Sequence, residues 1–170
     1  MRGLEFDTPV NLHGIQCAMG TLIAARLYDQ LRDYKPDVHK AVASVSAFDY
    51  DTWSKTIQSF LGKAGDTMIA LEQKEKKYCK VAHSTRLKKI IDNWALIQKI
   101  IQEELPTADE ISKILSVINI PADPSSIGID DECLSMTFRA TKDIRDKYVL
   151  SRLAWDLGIL DELADTLYTR

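Results

Sequence analysis

The sequence predicts an all-α protein, a single domain of roughly eight helices packed as a two-layer bundle. Apolar residues recur three to four positions apart in one segment after another, and no segment shows the alternation of a half-buried strand. The segments are joined by short loops. The chain has 170 residues, of which 45% are hydrophobic and 28% are charged, so it is long enough for one globular core.

The first helix is predicted from Leu12 to the Lys35-Pro36 pair, because proline cannot continue a helix. Residues 1–11 show no cap and no clear period, so they are expected to lie outside the core. Gly14 and Gly20 lower the stability of this helix. They indicate either close packing of a neighbouring helix or the approach of a ligand or cofactor to the backbone.

The middle of the chain is predicted to form three helices. A short helix is predicted over residues 38–48, and Asp49 offers N-cap chemistry for a second one that buries Trp53 and Ile57. Gly62 and Gly65 indicate a break. A third helix is predicted over residues 66–78, with its Glu and Lys side chains facing solvent.

The second half of the chain carries clearer boundary signals. Ser84 is predicted to cap a long helix that ends at Leu105-Pro106, and residues 107–110 have the Thr-x-x-Glu form of a capping box. The helix that follows is predicted to bury Ile111, Ile114, Leu115 and Ile118. Residues 121–129 are irregular, Asp130 or Asp131 caps a helix reaching Ile144, and Gly158 divides the apolar tail, residues 148–167, into two helices.

Composition excludes several classes of function. The formal net charge is −3 and the basic clusters, Lys74, Lys76, Lys77, Arg86, Lys88 and Lys89, are small, which argues against nucleic acid as a partner and predicts solvated helix faces. No apolar run reaches the roughly 18 residues of a membrane span, so no membrane partner is expected. Neither a GxGxxG nor a GxxxxGK[ST] loop is present, so no cofactor-binding residue is predicted in this chain.

The three cysteines, Cys17, Cys79 and Cys133, lie far apart in the sequence. Their odd number and wide spacing fit neither a disulfide framework nor a CxxC metal site. Free thiols of this kind are typical of a reducing compartment, which predicts a cytoplasmic protein.

The three histidines are the first candidates for a metal ligand or an acid–base group. His39 and His83 have polar neighbours and are predicted to be surface or cap residues. His13 stands beside Gly14 at the start of a helix, where it could be structural, a metal ligand or an acid–base group. A catalytic zinc-type site needs about three protein ligands, and no HExxH or HxxxH spacing provides them.

Two other groups of residues are predicted to be structural. The charges between Arg139 and Arg152 alternate in sign, as on a solvated helix face with i,i+4 pairs: Arg139, Lys142, Asp143, Arg145, Asp146, Lys147 and Arg152. The tryptophans, Trp53, Trp94 and Trp155, are predicted to anchor the core.

Four of these segments match a known family. Residues 11–22, NLHGIQCAMGTL, resemble the His-Gly segment of the iron-containing alcohol dehydrogenase and dehydroquinate synthase superfamily. Residues 142–158, KDIRDKYVLSRLAWDLG, look like the C-terminal signature of its glycerol-1-phosphate dehydrogenase branch, and residues 104–107 (ELPT) and 127–130 (IGID) fit the same branch. The resemblance runs over essentially the whole chain.

The resemblance implies that residues 1–170 are the C-terminal helical metal and substrate domain of such an enzyme. Family members also have an N-terminal α/β domain that binds NAD or NADP, which this chain lacks. A divalent metal (zinc, iron or nickel) sits between the domains on an Asp and two His, of which only the last maps here, onto His13. The family's upstream His-rich helix would end just before Met1.

The implied reaction is hydride transfer between a nicotinamide and dihydroxyacetone phosphate, giving sn-glycerol 1-phosphate. The implied partners are the missing α/β domain and a small phosphorylated polyol or ketone, and a homodimer is one arrangement that the resemblance allows. No catalytic residue is assigned. The isolated chain is expected to be inactive. The alternatives are a stand-alone helical interaction module derived from such an enzyme and a glycerol dehydrogenase-like polyol oxidoreductase.

Overall fold

The structure is a computed structural model that describes residues 13–144 and 146–168. The described residues form helices without strands, which confirms the predicted all-α class of roughly eight helices. The α-helices in chain order are α1 (His13–Leu31), α2 (Val38–Ser46), α3 (Tyr50–Leu61), α4 (Lys63–Glu75), α5 (Lys80–Asp92), α6 (Trp94–Glu104), α7 (Ala108–Val117), α8 (Asp131–Thr141), α9 (Leu150–Asp156) and α10 (Leu160–Asp165). Short 3₁₀ turns occupy Pro124–Ile127 and Thr166–Tyr168.

Most predicted caps are confirmed. Asp49 accepts a hydrogen bond from the N–H of Thr52 at 2.6 Å, and Asp130 accepts one from Cys133 at 2.7 Å. Thr107 and Glu110 make both hydrogen bonds of a capping box. Local sequence chemistry therefore sets where α3, α7 and α8 begin, since these caps satisfy N–H groups that the helix itself leaves free.

Several predicted boundaries were wrong. The helix predicted to start after Ser84 begins at Lys80 and is divided at Asn93, whose side-chain amide donates to the carbonyl of Lys89 at 2.8 Å. Such a local bond competes with the regular helical pattern and explains the break. α1 ends at Leu31, before Pro36, and α8 ends at Thr141, before Ile144. The predicted start of α1 at Leu12, and residues 1–11, lie outside the described residues.

The core is organised around the C-terminal helices. α9 contacts α2, α5, α8 and α10, and α10 also contacts α8. All three tryptophans are buried, as predicted. Trp94 and Trp155 belong to the main apolar cluster, whereas Trp53 belongs to a smaller one between α3 and α4.

One predicted buried face is narrower than expected. α7 packs on α1, and Leu115 is buried there, but Ile114 and Ile118 are 57% and 56% exposed. Apolar periodicity shows which residues share a face, but not how much of that face a neighbouring helix covers.

Two glycines permit close contacts between helices. Gly158 adopts φ 72° and divides the tail as predicted, and a Cβ atom there would lie 2.9 Å from the Cα of Ala41 in α2. Gly62 separates α3 from α4. Gly65, predicted to be part of that break, lies inside α4, where a Cβ would lie 2.7 Å from the carbonyl oxygen of Ile57.

None of the helices in the described residues is long and apolar enough to cross a membrane.

Candidate functional site

His13 is the first residue of α1, and its side chain is exposed. Cys17 follows one turn later on the same exposed face. The Nε2 atom of His13 lies 3.4 Å from the Cys17 Sγ, and its Nδ1 atom lies 3.9 Å from that sulfur. The structure therefore presents an imidazole and a thiol side by side at the beginning of a 19-residue helix.

An apolar groove lies further along α1. Gly20, Ile23 and Ala24 form one wall, and the other wall comes from α8 and the start of α9, including Phe138 and Val149. Its volume is about 230 Å³. Gly20 lies about 10 Å beyond His13 at 1.5 Å per residue. The groove and the imidazole thus share one helix.

The two glycines of α1 have free space around them. A Cβ at Gly14 or Gly20 would meet nothing within 4 Å in the described part of the chain. The predicted close packing of a neighbouring helix is therefore not found there. The alternative, that a ligand or cofactor approaches this stretch of backbone, stays a prediction.

The residues at His13 fit a metal ion in part. Imidazole nitrogen and thiolate sulfur are both ordinary ligands of zinc-type ions. Within residues 13–144 and 146–168, no group of three or more His, Cys, Asp or Glu is placed to hold a metal. The described chain therefore offers one or two ligands to an ion at this position, and the remaining ligands would have to come from elsewhere.

The C-terminal segment, residues 142–156, contributes charged side chains to a buried hydrogen-bond network. Asp143, just after α8, is 1% exposed. Its carboxylate accepts hydrogen bonds from the Lys142 ammonium at 2.7 Å, the Tyr78 hydroxyl at 2.6 Å and the Trp53 indole N–H at 3.0 Å. One carboxylate thus ties α3, the α4–α5 loop and the end of α8 together.

Asp156, at the end of α9, does the same for a neighbouring part of the bundle. It is fully buried and accepts two charge-assisted hydrogen bonds from Arg86, 3.1 Å from Nε and 3.0 Å from Nη2. The Tyr148 hydroxyl donates to it at 2.8 Å. The backbone carbonyl of Asp156 lies 2.9 Å from the Nε2 of His83. The planar, bidentate pair of Arg86 and Asp156 orients both side chains.

Arg152, in α9, is also buried, with 3% exposure. Its guanidinium stacks over Trp155 at 4.5 Å and lies over Tyr78 at 5.2 Å, and its Nη2 donates to the carbonyl of Lys77. Aromatic faces attract a cation strongly when both are out of water. The Nη1 atom has no hydrogen-bond partner in the described structure.

The predicted solvated charge face was therefore wrong for Lys142, Asp143 and Arg152, which are buried. It was correct for Asp146 and Lys147, which are exposed, while Arg145 lies outside the described residues. Sequence spacing could not separate the two sets, because burial here depends on helices that are distant in sequence. A usable signal was present in residues 151–157, where charged side chains sit among apolar residues on every face of a helix.

Two further predicted surface positions are also corrected. His83 is 2% exposed, packs edge-on against Trp155 and contacts the carbonyl of Asp156. Arg86, predicted to lie on a solvated face, is partly buried through its pair with Asp156. Both residues face inward from α5, beside the buried Leu87 and Ile90, so the contact between α5 and α9 is partly polar and partly apolar.

The network shifts the pKa values of several of its members. Burial lowers the pKa of Lys142, and Asp143 opposes that shift. Burial and the Asp143 carboxylate raise the pKa of Tyr78, and burial and Asp156 likewise raise the pKa of Tyr148. Both hydroxyls therefore stay protonated at neutral pH and act as hydrogen-bond donors, which is a structural role.

Cys79 is a thiol with altered acidity. It is exposed at the N-terminus of α5, and the nearby backbone N–H groups of Ala82 and Val81 lower its pKa. We expect Cys79 to react with iodoacetamide faster than Cys133 at neutral pH, since the thiolate is the reactive form. Mass spectrometry of chains alkylated over a pH series checks this. Equal rates and equal pH midpoints at the two cysteines would contradict the prediction.

The three cysteines are free, as predicted. No family model, no curated protein and no solved structure matches the chain.

Proposed function

We propose that this chain is the helical half of a metal-dependent, NAD(P)-linked oxidoreductase that interconverts dihydroxyacetone phosphate and sn-glycerol 1-phosphate. In this proposal an α/β domain that binds the nicotinamide completes the site. The protein works in the cytoplasm, in glycerol and phospholipid metabolism. The isolated chain is inactive, because the cofactor and the Asp and His ligands of the metal belong to that domain.

The observation that carries the proposal is the placement of His13. An imidazole that binds a metal must leave one ring nitrogen accessible to the ion, while its other ring N–H is usually hydrogen-bonded. His13 is exposed on the first turn of the longest helix described, and Cys17 is the neighbour that its ring contacts in the described structure. His83, by contrast, is 2% exposed, so its ring is not accessible to an ion from solvent.

This chain would contribute position and environment to the reaction. His13 would hold the metal from the start of α1, so the position of that helix would set the position of the ligand. A metal held there would supply Lewis-acid polarisation of the substrate carbonyl, and the nicotinamide would supply the hydride. The apolar groove that begins at Gly20 lies along the same helix. It presents a surface with few polar groups to the domain that completes the site.

The tail signature has a scaffold role in this proposal. Lys142 binds Asp143, and Asp156 binds Arg86. Asp143, Asp156 and Arg152 also contact four aromatic side chains: Trp53, Tyr78, Tyr148 and Trp155. They lock α3, α5, α8 and α9 into one body. A scaffold of this kind supports a site that it does not touch, because it fixes the helices from which the site is built.

The isolated chain is expected to show no turnover with NADH and dihydroxyacetone phosphate, with zinc, nickel or ferrous ion added. The measurement is the loss of NADH absorbance at saturating substrate, against a blank without protein. Turnover by the purified chain that survives further purification would contradict the proposal. Loss of activity in a His13→Ala variant would exclude a contaminating enzyme as the source.

The upstream reading frame separates the two main candidates. The enzyme predicts an in-frame segment with a glycine-rich loop and a His-rich helix, and the extended protein should then reduce dihydroxyacetone phosphate. A natural start at Met1 would favour a helical interaction module, for which the exposed groove and the exposed Tyr148 and Val149 would be the contact surface. Activity of the extended protein on glycerol alone would favour the polyol oxidoreductase.

A further inference from the structure

Histidine and cysteine stand four residues apart twice in this chain. His13 and Cys17 lie on α1, and Cys79 and His83 lie at the start of α5. Side chains at this spacing face the same side of a helix. The structure nevertheless separates the two pairs, because His83 is buried against Asp156 whereas Cys79 is exposed. Only the first pair places both donor atoms together in solvent.

The distance within the first pair suits a shared ion. A zinc-type ion bonds imidazole nitrogen at about 2.0 Å and thiolate sulfur at about 2.3 Å, and a tetrahedral angle then places the two donors about 3.5 Å apart. The His13 Nε2 and the Cys17 Sγ are 3.4 Å apart. The pair is therefore already close to the separation that chelation requires, without a change in the helix.

We propose that His13 Nε2 and Cys17 Sγ bind one thiophilic divalent ion together, so that Cys17 is a second ligand on α1. The role of that ion in catalysis rests on the proposed function, but its binding to the pair does not. When the ion binds, the Cys17 S–H bond breaks, an Sγ–metal bond forms and the proton passes to solvent, with no change in oxidation state. The two remaining tetrahedral positions are open to water or to donors from another domain.

This ligand pair has a definite selectivity. Thiolate and imidazole favour zinc, cobalt and nickel, whereas magnesium, calcium and manganese prefer oxygen ligands. The ion at His13 is thus of the zinc class rather than the magnesium class.

The test is a titration of the full 170-residue chain with Co²⁺ under reducing conditions, with Zn²⁺ as competitor. A thiolate bound to Co²⁺ gives a near-ultraviolet charge-transfer band that imidazole alone does not give. We expect the parent chain to show this band and Zn²⁺ to abolish it. Cys17→Ala should remove the band, His13→Ala should weaken binding by about tenfold or more, and Cys79→Ala, the matched control, should retain it.

The possible results separate the inference from the proposed function. An unchanged band in Cys17→Ala would overturn the inference, and if His13→Ala then still weakened cobalt binding, the ligand role of His13 would stand alone. A band that needs Cys17 but not His13 would overturn the shared site and count against the proposed function as well. Far-ultraviolet circular dichroism of each variant establishes that the helices are intact, which is expected for substitutions at exposed positions.

Discussion

Asp143→Ala is expected to lower the free energy of unfolding by about 3–5 kcal/mol, the cost of removing one partner from a buried ion pair. The substitution leaves the buried Lys142 ammonium without its carboxylate and removes the acceptor for Tyr78 and Trp53. Because small domains are stable by only about 5–15 kcal/mol, this is a large fraction of the total. Guanidinium denaturation followed by far-ultraviolet circular dichroism measures the loss.

The matched control is Asp146→Ala in the same segment. Asp146 is exposed, and its ion pair with Lys147 is a loose one of 3.8 Å, so a change within about 0.5 kcal/mol is expected. If Asp143→Ala does not fold, Asp143→Asn keeps the shape and removes the charge, and it should still unfold at lower denaturant than the control. Equal stabilities of the Asp143 and Asp146 variants would show that the buried network adds nothing to the fold.

Gly158→Ala is expected to destabilise the fold by about 2–5 kcal/mol, from two separate causes. Gly158 has φ 72°, a conformation that L residues adopt at a cost. Its added Cβ would also lie 2.9 Å from the Ala41 Cα and 3.0 Å from the Lys40 carbonyl oxygen. Those contacts are with backbone atoms, so relief requires α9 and α2 to move apart.

Gly128→Ala separates the two causes. Gly128 has a similar φ of 78°, but an added Cβ would meet nothing within 4 Å in the described chain. Only the backbone cost of about 1 kcal/mol is expected there. Thermal denaturation of the two variants beside the parent chain gives both values. If the Gly158 variant is as stable as the Gly128 variant, the close contact between Gly158 and α2 does not limit the fold.

Local patterns in the sequence accounted for much of the fold. Asp49, the Thr107–Glu110 box and Asp130 were recognisable because a cap acts on N–H groups two or three residues away. Gly158 was recognisable as a divider for a similar reason, since it interrupts an apolar tail. Asn93 was missed because its effect on the helix depends on a side-chain bond rather than on any break in periodicity.

At the candidate site, too, one feature was predicted from the sequence and another was seen only in the structure. His13 was identified from its position beside Gly14, and the structure places it on an exposed first turn, as a ligand requires. The contact between His13 and Cys17 was not predicted, although their spacing of four residues was visible in the sequence. The same spacing at Cys79 and His83 gives no such contact, so spacing alone could not have identified the pair.

The sequence alone determined the all-α class, the main caps and the tryptophan anchors, since each depends on neighbours within about one helical turn. The tertiary structure decided which charges are buried. Asp143 belongs to a segment that the sequence predicts to be a solvated face, yet it binds Trp53 and Tyr78, and Asp156 binds Arg86. A buried charge needs partners to offset its desolvation, and here those partners lie 65–90 residues away in the chain.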